Sequence, residues 1–124
     1  MKKKFKYSFD ELTGILYKYY YGKITIEDIH SSWDYAIANN LIPKNTKGFL
    51  LDYTKATFDL DIKEHIQIPE YYKSHLEIFG NKRIAVLTHS SKDVMIPTLV
   101  ELKDEGYYSR PFYTLEAALN WVLS

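Results

Sequence analysis

The sequence predicts one α/β domain on a mixed, mostly parallel sheet, in the order β-β-α-β-α-β-α-β-α. Gly48-Phe49-Leu50-Leu51-Asp52-Tyr53 and Ile84-Ala85-Val86-Leu87 are short apolar runs, the pattern of strands covered on both faces. Amphipathic stretches with helix-cap chemistry separate and follow them, ending in Thr114 to Leu123. The opening residues alternate polar with aromatic, and a five-residue connection leads into a second strand-like run, so the chain begins with a hairpin.

Taken in order, Lys3-Lys4-Phe5-Lys6-Tyr7-Ser8-Phe9 places Phe5, Tyr7 and Phe9 on an inward face. Asp10-Glu11-Leu12-Thr13-Gly14 supplies the turn, and the second strand runs from Ile15 to Gly22. On it Ile15, Tyr17, Tyr19 and Tyr21 share one face, whereas Leu16, Lys18, Tyr20 and Gly22 share the other. Thr25 with Asp28 has the spacing of an N-cap and its reciprocal acid. Ile26, Ile29, Trp33, Ala36 or Ile37, and Leu41 then recur at helical spacing, and Asn39-Asn40 and Pro43 end the helix.

After the strand at Gly48, Pro69 interrupts any continuous helix, so an irregular turn is expected from Leu60 to Ile68 and a helix from Pro69 to Phe79, with Tyr72, Leu76 and Phe79 facing the sheet. Ser90-Ser91-Lys92-Asp93 opens a helix that contains Pro97 and stops at Gly106. Arg110-Pro111-Phe112-Tyr113 reads as an edge strand, because proline cannot donate to a ladder. In the closing helix, Leu115, Ala118, Leu119 and Val122 form the expected buried stripe, and Trp121 is expected against the sheet or the first strand. Right-handed crossovers make the second to fifth strands parallel.

The 124 residues match one domain, and a charged fraction of 26% beside 46% hydrophobic residues is that of a soluble globular protein. No apolar run spans a bilayer and no secretory leader is visible, so a cytoplasmic location is expected. There are no cysteines, hence no disulfide or thiol chemistry. Lys and Arg total 16 against 16 acids, which leaves no global field for nucleic acid; Lys2, Lys3, Lys4 and Lys6 could form a local basic patch or simply a solvated strand face.

Neither cofactor nor metal is expected, because His30, His65, His75 and His89 fall at no metal-binding spacing. Catalytic residues are not assigned. Ser90, His89 and Asp52 could be composed into a triad, but adjacent nucleophile and base rarely orient correctly and no nucleophile elbow surrounds the serine. The expected ligand location is the rim at the carboxyl ends of the strands, lined by Asp52, Thr54, Thr57, His89, Ser90 and Ser91. Ser90 and Ser91 there are better explained as helix caps than as ligand groups, and Asp93 beside them disfavours an anion. Tyr17, Tyr19 and Tyr21 form the candidate interface, since an exposed row of aromatics usually marks an interaction surface; alternation does not say which face is open, so Leu16 and Tyr20 remain the competing choice.

The order of elements, the hairpin ending Tyr21-Gly22-Lys23-Ile24-Thr25, the strands at Gly48 and Lys82, and the closing Phe112-Tyr113-Thr114-Leu115-Glu116-Ala117-Ala118-Leu119-Asn120-Trp121-Val122 resemble the SpoIIAA-like fold of STAS domains and the related STAS/SEC14-like bacterial proteins. The resemblance implies a small non-enzymatic domain that binds a partner protein or pairs with itself, or else carries a small apolar ligand or lipid in a cavity between the sheet and residues 62–79. It also implies that a phosphorylatable serine should follow Asp52 in an Asp-Ser-x-Gly setting. This chain reads Asp52-Tyr53-Thr54-Lys55, so the serine and the glycine are both missing and only Thr54 stands nearby.

Overall fold

The computed structural model describes residues 4–124. Lys2 and Lys3, named above for the basic patch and the start of the first strand, lie outside the described residues. The elements are β1 (Phe5–Asp10), β2 (Ile15–Ile24), α1 (Ile26–Ala38), β3 (Gly48–Phe58), a 3-10 turn (Ile62–Ile66), α2 (Gln67–Lys73), α3 (Leu76–Phe79), β4 (Arg83–Leu87), α4 (Met95–Glu101), β5 (Tyr108–Phe112) and α5 (Leu115–Leu123). The five strands lie side by side in chain order. β1 pairs antiparallel with β2, and every later pair is parallel.

Sequential order has a geometric consequence. When a sheet grows in one direction through crossovers of one hand, each crossover lands on the same face. Accordingly Trp33 and Ile29 of α1, Tyr72 of α2, Phe79 of α3 and Ile96 and Val100 of α4 share one core with Leu16, Tyr20, Phe49, Leu51 and Ile84 of the sheet. Trp33 is fully buried and meets Phe49 and Phe79 edge-on, with ring centroids 5.8 and 5.1 Å away. Among the described residues the opposite face receives α5 alone, whose Ala118 packs with Ile15, Leu50, Ala85 and Leu87. Gly48 permits that approach: a Cβ there would stand 2.6 Å from a Val122 methyl carbon.

The helix starts follow their sequence chemistry. Thr25 Oγ1 accepts from the Asp28 amide at 3.1 Å while the Asp28 carboxylate accepts from the Thr25 amide at 3.0 Å. Thr114 caps α5 in the simpler way, through the Ala117 amide.

Several expectations are corrected. β3 continues past Tyr53 to Phe58, because a bulge absorbs one residue and lets the strand keep pairing with β2. The single helix from Pro69 to Phe79 divides at Ser74 and His75 into α2 and α3. There the Ser74 hydroxyl and His75 Nδ1 both reach the Tyr71 carbonyl, at 2.9 and 3.0 Å, and compete with the helical ladder. The break leaves Leu76 42% exposed rather than facing the sheet. The helix after Ser90 is shorter, Met95–Glu101. β5 begins at Tyr108 and is an edge strand, as Pro111 requires. In α5, Leu115 sits in the first turn and is 47% exposed, outside the buried stripe. Trp121 packs beside Phe112 at 5.5 Å, with the Arg83 and Arg110 guanidinium groups 5.4 and 5.2 Å from its ring, on the β4–β5 side and away from β1.

Candidate functional site

Because α5 reaches mainly β3, β4 and β5, the β1–β2 half of its face carries no helix among the described residues. That half displays Tyr17, Tyr19 and Tyr21 of β2, all half-buried, with Ser8 and Lys6 of β1 directly opposite Tyr17 and Tyr19. The Tyr17 and Tyr19 rings lie nearly parallel, 11° apart, at 6.2 Å. Partial burial raises the pKa of both phenols, helped by Asp10 at Tyr17 and Asp52 at Tyr19, so both stay neutral hydrogen-bonding groups on an aromatic surface. Alternation within β2 fixes this arrangement, since the opposite phase of the strand supplies the core residues Leu16 and Tyr20.

At the edge of the tyrosine row lies the β3 bulge. Pairing passes from Tyr19 opposite Asp52 to Tyr21 opposite Lys55, so β3 carries one residue more than β2 over this step. Asp52 Oδ1 accepts from the Thr54 amide at 2.8 Å and from the Thr54 hydroxyl at 2.7 Å. The carboxylate thereby engages an amide in the irregular part of the ladder. A concavity of about 170 Å³ opens here, lined by Tyr19, Tyr20, Tyr21, Asp52, Thr54 and Lys55.

The rim residues are distributed as follows. Asp52 and Thr54 sit within β3, not beyond its end, and Thr57 pairs with Lys23 farther along the strand. Ser90 is tied to Asp93 reciprocally: its hydroxyl donates to Oδ2 at 2.8 Å and accepts from the Asp93 amide at 3.1 Å. Asp93 Oδ1 in turn accepts from the Phe58 amide at 3.2 Å, which joins the end of β3 to this turn. Ser90 and Asp93 thus act as turn and cap groups, with His89 and Ser91 exposed beside them. No group of His, Asp and Glu suited to a metal ion occurs among the described residues.

On the other face, Lys18 occupies an inward position of β2 and is fully buried. Its ammonium nitrogen is 2.5 Å from Ser32 Oγ and lies 3.7 Å from the Trp33 ring centroid and 4.6 Å from that of Tyr20, with Phe5 and Tyr7 completing the enclosure at 5.3 and 5.7 Å. None of the ion pairs among the described residues involves it. Four aromatic faces favour a cation there, but burial without a counter-ion opposes one and holds the pKa well below the usual lysine value. Beside this enclosure a groove of about 780 Å³ runs between β1 and α1, lined by Phe5, Tyr7, Ser31, Ser32, Tyr35 and Leu41, with Lys4, Lys6 and Tyr21 at its border. Tyr7 closes its floor by donating to the Ser32 carbonyl, and burial pushes the phenol up to about 12. Lys18 is absent from the residues expected at a site, although a lysine sharing a strand face with Leu16 and Tyr20 is the sequence signal that marks it.

No family model and no curated protein matches the chain. Among solved structures, an uncharacterized protein from the DUF3478 family with a SpoIIAA-like fold, from Shewanella loihica PV-4, has a TM-score of 0.63 at 18% identity, covering 95% of this chain and 91% of that one. The anti-sigma factor antagonist SpoIIAA in its unphosphorylated form has a TM-score of 0.51 at 13% identity, over 95% of this chain and 96% of that one. The fold is therefore SpoIIAA-like, as the sequence resemblance implies.

Proposed function

We propose that this chain is a non-enzymatic, STAS-like binding domain that acts through protein contact or self-association at the uncovered half of its sheet, with Tyr17, Tyr19 and Tyr21 as the anchoring side chains. The observation that carries this reading is that, among the described residues, α5 is the one helix on that face and leaves the stacked Tyr17 and Tyr19 without a helix over them. Tyrosine suits such a role because it brings a large apolar body and a polar tip at little conformational cost. The anti-sigma factor antagonist of the same fold lends support at the level of class, as a domain whose name states an action on another protein. No helix of the described residues is long and apolar enough to cross a membrane.

The competing reading, a carrier for a small apolar ligand or lipid, needs a cavity between the sheet and residues 62–79. The space there, lined by Ile29, Tyr53, Ile68, Tyr72 and Val100, holds about 20 Å³. That is room for one water. The carrier reading therefore finds no support at the place where it needs its cavity.

Replacing Tyr17 and Tyr19 together by serine tests it. Sedimentation velocity and thermal melting of the purified variant should show lost association with an unchanged melting temperature. Unfolding would place the tyrosines in the core. Unaltered association would remove the face from consideration.

A further inference from the structure

The outer edge of β1 is a second uncommitted surface, and its hydrogen-bonding phase is fixed by the hairpin. The Tyr21 amide donates to the Lys4 carbonyl at 2.9 Å, so Lys4 and Tyr21 form a bonded pair. Bonded and non-bonded pairs alternate along an antiparallel ladder. Lys6 and Ser8 therefore turn their main-chain groups toward Tyr19 and Tyr17 of β2, whereas Phe5, Tyr7 and Phe9 turn theirs outward. Among the described residues no strand lies beyond this edge. The edge at β5 carries Pro111, which cannot donate, but β1 contains no proline.

We propose that β1 pairs antiparallel with β1 of a second copy of this chain, about a two-fold axis at Tyr7, joining two five-stranded sheets into one. The inference rests on reading the chain as a binding domain but uses the strand edge in place of the tyrosine face. Charge selects the register. A two-fold at Tyr7 opposes Lys4 to the second copy's Asp10, Phe5 to Phe9 and Lys6 to Ser8, and uses every residue from Lys4 to Asp10. Moving the axis to Lys6 sets that lysine against its own copy, a destabilising like-charge opposition. Moving it to Ser8 carries Lys4 and Phe5 past the partner strand. At the chosen register, the outward groups of Phe5, Tyr7 and Phe9 meet the same groups of the second copy in bonded pairs.

Side-chain shape agrees with that choice. Directly opposed residues share a sheet face, so the second copy's Phe9 arrives on the α1 face beside Phe5. It there meets the groove between β1 and α1, walled by Phe5, Tyr35 and Leu41, in which Tyr35 is 58% exposed. On the other face, the two tyrosine rows become parts of one continuous surface.

The chain has no cysteine, so single cysteines report the register cleanly. Lys6 and Ser8 are exposed, and as a non-bonded pair across the axis their Cα atoms would lie about 4.5 Å apart, within disulfide reach. Oxidising an equal mixture of Lys6→Cys and Ser8→Cys proteins should give a disulfide-linked heterodimer, whereas either protein alone, offset by two residues from itself, should remain largely uncrosslinked. Sedimentation equilibrium of the wild type should show a concentration-dependent dimer. Ser8→Lys sets two lysines against two and should weaken that dimer about tenfold. Adding Lys6→Glu to Ser8→Lys should restore it, which separates edge pairing from any effect on neighbouring Tyr17. A wild type that stays monomeric, a predominant Lys6→Cys homodimer, or a dimer indifferent to Ser8→Lys would each overturn the proposal. A dimer weakened by Ser8→Lys and kept by the Tyr17 and Tyr19 variant assigns association to the edge, whereas a dimer lost in the tyrosine variant and indifferent to Ser8→Lys assigns it to the tyrosine face and overturns the edge proposal alone.

Discussion

Replacing Lys18 by methionine should stabilise the protein, although Lys18 makes a short hydrogen bond and touches four aromatic rings. Lys18 is fully buried, its nitrogen bonds Ser32, and no ion pair among the described residues engages it. Taking an ammonium out of water costs several kcal/mol, against about 2 kcal/mol for a desolvated cation–π contact and roughly 2 kcal/mol for a hydrogen bond to a charged group. Methionine is unbranched and fills a similar volume, although its chain is one atom shorter. A gain of about 1–3 kcal/mol at pH 7 is expected from relieving that imbalance. The pH dependence is the sharper signature. Burial lowers the folded-state pKa of Lys18 below its unfolded value of about 10.4. Between those two values the unfolded chain binds the extra proton, so wild-type stability must rise with pH, by up to about 1.4 kcal/mol per unit. Below the lowered folded-state value both states are protonated and the slope vanishes. Denaturant unfolding of wild type and Lys18→Met from pH 6 to 9 measures both quantities. A variant that is less stable, with a slope equal to wild type, would show that the aromatic enclosure outweighs desolvation and would refute the reasoning.

Trp121→Ala should lower stability by about 2 kcal/mol in denaturant unfolding, less than a fully buried tryptophan, because one side of its ring meets Arg83 and Arg110 near solvent. Thr54→Val, which removes the hydroxyl bond to Asp52 but retains the amide bond, should cost about 1 kcal/mol by the same measurement. Thr54→Glu should leave association nearly unchanged, since the Asp-Ser-x-Gly setting of a switch is absent; abolished association would restore a phosphorylation role at this position. In amide exchange by NMR, Lys6 and Ser8 should be protected at all concentrations, whereas Phe5, Tyr7 and Phe9 should gain protection only as concentration rises.

The succession of elements and the hairpin were legible because each depends on a local period: alternation from Phe5 to Phe9, and unbroken apolar runs at Phe49–Leu51 and Ile84–Leu87. The caps at Thr25 and Thr114 were legible from spacing alone. Where the reading failed, side chains had intervened in the main-chain ladder. Asp52 holds Thr54 in a bulge, and the changed phase hides the strand that continues to Phe58. Ser74 and His75 draw on one carbonyl and split a helix that contains no glycine there. The rim reading placed Asp52 and Thr54 at a strand terminus because the apolar run stops at Tyr53. Once β3 extends, those residues flank the tyrosine row, and the end of β3 meets Asp93 in their place. The tyrosine face itself could be written from alternation, but which face lay open depended on where three crossovers and one terminal helix settled.

β1 gathers the unusual features of the chain into six residues. Its side chains Phe5 and Tyr7 wall the buried Lys18, while the main-chain groups of the same residues face the free edge. Its alternate residues, Lys6 and Ser8, border the tyrosine row. A strand held on one side only is ordinarily the part of a sheet that opens first. Here the aromatic enclosure ties β1 to α1: Tyr7 reaches the Ser32 carbonyl, and Lys18 reaches the Ser32 hydroxyl from the neighbouring strand. The destabilising amine therefore sits inside the contacts that orient the edge. Removing the amine should firm up β1 without altering the edge's pattern of outward amides, whereas a lysine placed at Ser8, facing Lys6 of the second copy, should weaken pairing without reaching the enclosure. The Lys18 variant reaches β1 from β2 on the α1 face and the Ser8 variants act on the other face of β1, which makes internal packing and external pairing of the strand separable.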